Sequence, residues 1–488
     1  MAAEPRGSGS GKLAAAWAAL AGSDALLFAL LLVACLFRLS ELPLAEMDDI
    51  THAVMGKSIL LTRDWFTMHE GLQVSFLKPP LYFWLEAVLF KLFGVADYWA
   101  RFPGAVCGFI TLLLAYRIAI LTAGRKAAFW AVMLLCTSTF FMKSSRRAML
   151  DIPTTMALCL GVWALIKADF LGRRGFYLLA GLSLAIGYYF KAVQGLYLLG
   201  IAGAYFVLSG GIRRLLNPWL ICGLALAAGL IGAWAWPQYL HNGAGFLYSQ
   251  SGIGPIMDRG IPGQTNPFYI PLFKLFGVFA WTPFSIFGVW AAYKRKDQPV
   301  ERRAILLLLC WIAVVIGALS VSKVFYVRYL LAAFVPLAVF GGLAVERLLA
   351  GRDHEQLRAW ALAAFAAVLA VLIVFPIPTD RPGTSLISLY NTADAVIPKD
   401  ARMTLYKDKS FRFSQGLPYY SDRVLAGQVV TPEEAAAAMA GPGPVCLIVT
   451  HNYFTEIDEA VNQGKLKLKV VAGTPEWRLL TPIEAQPR

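Results

Sequence analysis

The chain has 488 residues, 58% of them hydrophobic and 15% charged, with a formal charge of +14 and a mean hydropathy of +0.60. Soluble domains sit nearer half apolar and a quarter charged, so composition argues against a water-soluble enzyme and against disorder over most of the chain. The basicity belongs to the apolar part: residues 1–379 hold 32 Lys+Arg against 18 Asp+Glu, while residues 380–488 hold 12 of each. In a membrane protein that excess points to cytoplasmic loops and anionic headgroups before nucleic acid.

The N-terminus, MAAEPRGSGSGK, is polar and weakly basic. The apolar run after it, 13–37, is too long for a signal-peptide core and reads as a retained anchor. Eleven segments approach the length a bilayer needs: 22–39, 102–122, 127–142, 152–170, 177–190, 193–209, 217–236, 270–292, 304–320, 329–346 and 360–376. Alternate loops carry Arg125-Lys126, Arg173-Arg174, Arg213-Arg214, Lys294 to Arg303, and Arg347, Arg352 and Arg358, and read as cytoplasmic. An odd span count then places the N-terminus inside and the C-terminal tail outside. The first outward loop, 40–101, is far too long for a connector. Within it, LYFWLEAVLFKLF (81–93) is apolar on most faces, interrupted by Glu86 and Lys91, and suits a helix lying in the headgroup plane. A second long outward loop, 237–269, is rich in Gly, Pro, Tyr and Asn.

The tail has ordinary soluble composition. Strands are expected at 403–406, 444–449 and 468–471. A helix is expected over 432–440, with Thr431 as N-cap, Pro432 first, Glu434 three after the cap and Gly441 as stop. The expected architecture is a polytopic α-helical membrane domain over 1–379 and a small α/β domain over 380–488 on the outer face. Seven cysteines form no Cys-x-x-Cys pair or Cys/His cluster, so neither a structural zinc nor a disulfide framework is supported.

Basic residues on outward loops ask for an explanation. Lys78, Lys143, Arg146, Arg147, Lys191, Arg259, Lys323 and Arg328 all map to the outward face, with Asp48, Asp49 and Asp151 at similar depth. Each has an ordinary reading alone. Asp48-Asp49 could be first-turn acids of a helix. Lys78-Pro79-Pro80 could anchor a helix that starts at proline. Arg146 to Asp151 could be a salt-bridged turn, Lys191 could snorkel, and Tyr326, Arg328 and Tyr329 could form an interfacial belt. His52 and His241 are structural histidines on that reading, and Tyr239 a belt residue. Their joint appearance on one face is the stronger observation. Cations gathered at the lipid interface suit a phosphate-bearing ligand, and a carboxylate held ionised among them could act as a base.

The order of motifs adds to this: Asp48-Asp49 after the first span, then Lys78-Pro79-Pro80-Leu81-Tyr82-Phe83-Trp84, Phe93-Gly94 and Ala100-Arg101-Phe102-Pro103. It resembles the membrane-embedded GT-C glycosyltransferases that use polyprenyl-phosphate sugars, and most closely the branch of the bacterial lipid A 4-amino-4-deoxy-L-arabinose transferases, related to protein O-mannosyltransferases. The resemblance covers residues 20–345 and is strongest over 40–160. It implies a GT-C fold, Asp48 as catalytic base, and Asp49 and Asp151 as accompanying acids. It further implies a donor-phosphate site formed by Lys78, Arg146, Arg147, Lys191, Lys323, Tyr326 and Arg328. His52, His241 and Tyr239 become candidate sugar or acceptor contacts. The family usually reads Asp-Glu at the acid pair with a tyrosine three positions on; here the residues are Asp48-Asp49 and His52.

On this reading the acceptor hydroxyl loses its proton to Asp48 and displaces the phosphate with inversion. A phosphate leaves without protonation, so no second carboxylic acid is needed, unlike glycoside hydrolysis. A divalent ion could bind in principle, but lysines and arginines already supply charge, so no cofactor is expected. The expected partners are a polyprenyl-phosphate sugar, an outer-face lipid or glycan acceptor of the lipid A kind, and membrane lipids. Alternatives are transfer to protein Ser/Thr, a transporter of lipid-linked sugars, and a non-catalytic scaffold.

Overall fold

The computed structural model describes residues 24–483 apart from 42, 45–46, 251–268, 295–298, 323–324, 376–383, 408–410, 422 and 424. Residues 13–23 of the expected anchor, Arg259 and Lys323 therefore lie outside the described residues. The chain forms two compact units. One comprises the segment ending at Arg38, Phe76–Tyr82 and Arg101–Ile377; the other comprises Leu39–Ser75, Phe83–Ala100 and Pro378–Arg488.

In the first unit, apolar length becomes helix. Among the described residues, seven helices are long and apolar enough to cross a membrane: Asp97–Ala123, Asp151–Asp169, Phe176–Leu208, Pro218–Asn242, Arg302–Val321, Val327–Leu348 and His354–Val374. Two bent pairs raise the count to nine, Arg125–Cys136 with Thr139–Ser145 (72°) and Ile270–Val278 with Thr282–Tyr293 (107°). The remaining two of the eleven expected segments have separate explanations. The first is described only as Asp24–Leu36, a 13-residue helix. The other is the second half of Phe176–Leu208, where the backbone breaks at Ala192 (φ 42). Beyond that break Gly195 folds back against Gly187: a Cβ on Gly195 would lie 2.0 Å from the Gly187 carbonyl carbon.

Small residues let these helices approach. A Cβ on Gly181 would sit 1.9 Å from the Gly223 carbonyl oxygen, and one on Gly288 would sit 1.8 Å from that of Phe340. Without a hydrophobic drive between helices in lipid, such contacts supply the packing. Val327–Leu348 is the most enclosed span, 83% of its apolar window being buried, whereas His354–Val374 buries 17% and runs along the outside. The short first helix is held at both ends. Tyr116, Arg125 and Arg358 donate to the Asp24 carboxylate (2.8, 3.2 and 2.9 Å). At its other end Arg146 donates to the carbonyls of Ala34 and Phe37, and Arg38 donates to the Leu372 carbonyl.

The second unit begins with two helices, α1 (Met47–Thr62) and α2 (Leu81–Phe93), the latter over the segment expected to lie at the interface. Lys57 of α1 is buried and donates to the carbonyls of Pro418 and Tyr419, both at 2.7 Å. The rest is an α/β domain: α3 (Thr384–Val396), β1 (Arg402–Tyr406), α4 (Phe411–Tyr420), β2 (Leu425–Val429), α5 (Pro432–Met439), β3 (Val445–Thr450), α6 (Phe454–Asn462), β4 (Leu468–Gly473) and β5 (Trp477–Pro482). The sheet order is β2-β1-β3-β5-β4, with β2, β1 and β3 parallel and β5 antiparallel to both its neighbours. Alternation along β1 and β3 splits the core in two. Met403, Leu405, Cys446 and Ile448 face α3 and α4, while Tyr406, Leu447 and Val449 face α5 and α6. The helix expected at 432–440 forms with a complete capping box between Thr431 and Glu434.

Candidate active site

In the first unit the site is built where two neighbouring helices end. Asp151 opens Asp151–Asp169, where the helix dipole favours an anion, and Lys191 closes Phe176–Lys191, where it favours a cation. The two meet: Lys191 Nζ donates to Asp151 Oδ1 at 2.5 Å, with both side chains buried. Arg328, on the short turn Val327–Leu330, brings Nε to 3.4 Å from the other oxygen of Asp151. Lys191 also lies 4.1 Å over the Tyr329 ring, and Arg328 lies 4.4 Å over the Tyr326 ring. The charge of Lys78 reaches both Asp151 and Lys191. Two cations thus contact one carboxylate, and the charge of a third acts on it.

Other candidates of this unit stand as follows. Arg146 is engaged with the Ala34 and Phe37 carbonyls and lies 3.9 Å over the Phe37 ring. Arg147 is half-buried, and burial pushes its guanidinium down to about 10. Its carbonyl packs against Gly104, where a Cβ would come within 2.4 Å. Tyr239 and His241 sit in the last turns of Pro218–Asn242, and among the described residues neither hydrogen-bonds to the Asp151 cluster.

In the second unit Asp48 and Asp49 occupy the first turn of α1. Asp48 is half-buried, whereas Asp49 and His52 are 2% and 3% exposed. The His52 ring lies 5.7 Å from that of Phe83 on α2. One turn on, Gly56 faces Glu86: a Cβ on Gly56 would meet Glu86 Oε2 at 2.6 Å. Glu86 is fully buried, and neither oxygen has a hydrogen-bond partner among the described residues. Burial, and then the charge of Asp49, lift its carboxyl well above the usual carboxylate range.

The motif reading did not single out Glu86, Tyr197 or Lys57. Glu86 is visible in the sequence only as the one acid interrupting an otherwise apolar helix. Tyr197, which feels the charge of Asp151, had no local signal.

A profile of the dolichyl-phosphate-mannose-protein mannosyltransferase family matches residues 77–236. An undecaprenyl phosphate-alpha-4-amino-4-deoxy-L-arabinose arabinosyl transferase from Aeromonas hydrophila is 26% identical over 70% of this chain and 64% of its own length. The first three curated relatives are matched over only 58–64% of their lengths. Among solved structures, ArnT from Cupriavidus metallidurans bound to undecaprenyl phosphate superposes with a TM-score of 0.74 at 14% identity, covering 93% of this chain and 97% of that one. The Archaeoglobus fulgidus oligosaccharyltransferase in its apo form gives 0.54 at 12% identity, over 88% of this chain and 69% of that one. The fold of this multi-pass membrane chain is thus of the GT-C type, and its sequence is similar to the aminoarabinose transferases over part of its length.

Proposed function

We propose that the chain is a membrane glycosyltransferase that moves a sugar from a polyprenyl-phosphate donor to a hydroxyl or phosphate of a lipid A-like acceptor on the outer face of the bacterial inner membrane. The observation that carries this reading is the gathering of Lys191 and Arg328 on Asp151, with the charge of Lys78 acting on the same carboxylate, in a unit built of membrane helices. A polyprenyl tail must lie in the bilayer, so its phosphate surfaces at such a place. The arabinosyl transferase activity of the relatives and the undecaprenyl phosphate bound to the Cupriavidus protein support the donor class.

In the proposed step the acceptor oxygen attacks the sugar carbon while Asp48 takes its proton. The bond to the phosphate oxygen breaks, the electron pair leaves with polyprenyl phosphate, and the configuration inverts. Lys78, Lys191 and Arg328 stabilise charge that grows only as that bond breaks, the kind of interaction that raises turnover. Asp151 keeps two of these cations oriented. Arg147, Lys323 and Tyr326 belong to the same donor side on this reading. The reaction requires no divalent ion, so turnover should survive a chelator. The N-terminus would be cytoplasmic and the α/β domain periplasmic.

Purified protein given a polyprenyl-phosphate sugar and an acceptor should release polyprenyl phosphate. Asp48→Asn should bind donor normally yet lose about 10²–10⁴-fold in turnover, the usual worth of a general base. Undiminished turnover in that variant would remove Asp48 from the mechanism. The transporter reading draws on the two bent helix pairs, since broken helices frame substrate sites in carriers. It requires donor to cross between leaflets without acceptor, which the same preparation in vesicles would reveal.

A further inference from the structure

The proposed reaction gives the α/β domain no part, yet three consecutive residues at the end of α4 grip the segment that carries Asp48. Lys57 lies on α1 about two and a half turns beyond Asp48. Its buried ammonium donates to the carbonyls of Pro418 and Tyr419, both at 2.7 Å, and lies 5.9 Å over the Tyr419 ring. Both carbonyls belong to the last turn of α4, where a helix leaves its acceptors unpaired and its dipole is negative. Lys57 thus caps α4 from a neighbouring helix.

On the near side of Asp48 the third residue takes hold. The Leu44 amide donates to the Tyr420 hydroxyl at 2.9 Å, and that hydroxyl donates to Asp97 Oδ2 at 3.1 Å. The Tyr420 ring stacks on Tyr390 of α3 (5.6 Å, 14° between planes), a residue of the domain core, so the hydroxyl is fixed to the packing of the sheet. Asp48 therefore stands between two anchors, four residues after one and nine before the other, and both end on α4. Helix α2 meets α1 by packing, through Phe83 beside His52 and Glu86 against Gly56.

Anchors of this kind set position as well as stability. A buried ammonium must keep its acceptors, so α1 cannot slide along α4 by one turn, about 5.4 Å, without stranding Lys57. The ends of a helix are also the parts that fray, and Asp48 is in the first turn of α1. A base acts only within hydrogen-bond reach of the proton it takes, and a displacement of about 1 Å can cost about a hundredfold in rate.

We propose that Lys57 and Tyr420 are positioning residues, through which the α/β domain holds the Asp48 end of α1 in place for proton abstraction. This rests on the sugar-transfer reading with Asp48 as base. The test uses the full chain in detergent under single-turnover conditions, below the melting temperature of every variant. Lys57→Met keeps the apolar stem and removes the donors. Its rate constant should fall about ten- to hundredfold, with polyprenyl phosphate bound as tightly as by the wild type. Tyr420→Phe should show a smaller fall of the same kind. A merely destabilised protein would lose amplitude, because fewer molecules are folded, and keep its rate constant. Hydrogen exchange, which needs no turnover, should quicken over residues 48–56 in both variants and stay at the wild-type level in β3. Lys57→Met with an unchanged rate constant, or with unchanged exchange over 48–56, overturns the proposal. Normal turnover by Asp48→Asn would remove the base and the proposal together; an impaired Asp48→Asn beside an unimpaired Lys57→Met removes the proposal alone.

Discussion

Asp151 and Glu86 are both buried acids, one in each compact unit, and the chain accommodates them by opposite means. Asp151 meets Lys191 and Arg328 within 3.4 Å, with a third cation acting on it. Glu86 meets no donor among the described residues, and burial lifts its carboxyl well above the usual range. A buried carboxylate that contacts two cations is held ionised by them. Glu86 is packed against Gly56, and burial and the charge of Asp49 both raise its carboxyl. The difference separates an acid held by ion pairs from an acid held by packing alone.

The sharpest way to break this contrast is to remove one side of the ion pair. Lys191→Ala leaves Asp151 buried against a single direct partner and should cost about 3–5 kcal/mol of stability, read as a lower melting temperature in detergent. The double variant Asp151→Leu with Lys191→Met should recover most of that loss, since apolar replacements of buried pairs are often neutral. It should not recover donor affinity, measured as binding of polyprenyl phosphate. Recovery of both would mean that the pair serves packing alone.

Glu86→Gln tests the other side with a smaller effect. A carboxyl whose folded value is raised holds its proton in the native state after the unfolded chain has lost it. Its contribution is therefore intact at low pH and declines as pH rises above the ordinary glutamate range. Glutamine has no such slope, so the variant should gain melting temperature over wild type at pH 8 and little at pH 5. An equal difference at both pH values would show that Glu86 is ionised in the fold. The smallest effect belongs to Glu456, whose carboxyl is lowered by Lys407. Its stabilisation is present above the ordinary range and lost as pH falls, so Lys407→Met should flatten the acid limb of a melting curve slightly.

Part of this was legible in the chain. Length and hydropathy located the spans, and the Thr431–Glu434 spacing located a capped helix, because both signals are local. Lys78, Asp151 and Lys191 stood out because charges at span ends are rare. The Lys191–Asp151 and Arg328–Asp151 pairs were not legible, since they join residues 40 and 177 positions apart. Strands β2 and β5 escaped notice for another reason: LAGQV and WRLLTP lack the apolar run that marked 444–449. Their place is set by neighbours in the sheet rather than by propensity.

The short first helix carries a consequence for how the protein is made. Both its ends are fastened by groups that emerge from the ribosome much later: Asp24 by Arg358, and the following turn by Arg146 and, through Arg38, by the backbone at Leu372. Those fastenings cannot all close until the helix His354–Val374 has been synthesised and inserted. The helix Asp24–Leu36 is thus fully secured only once that span is in place, and a chain shortened before residue 354 would hold it by Tyr116, Arg125 and Arg146 alone.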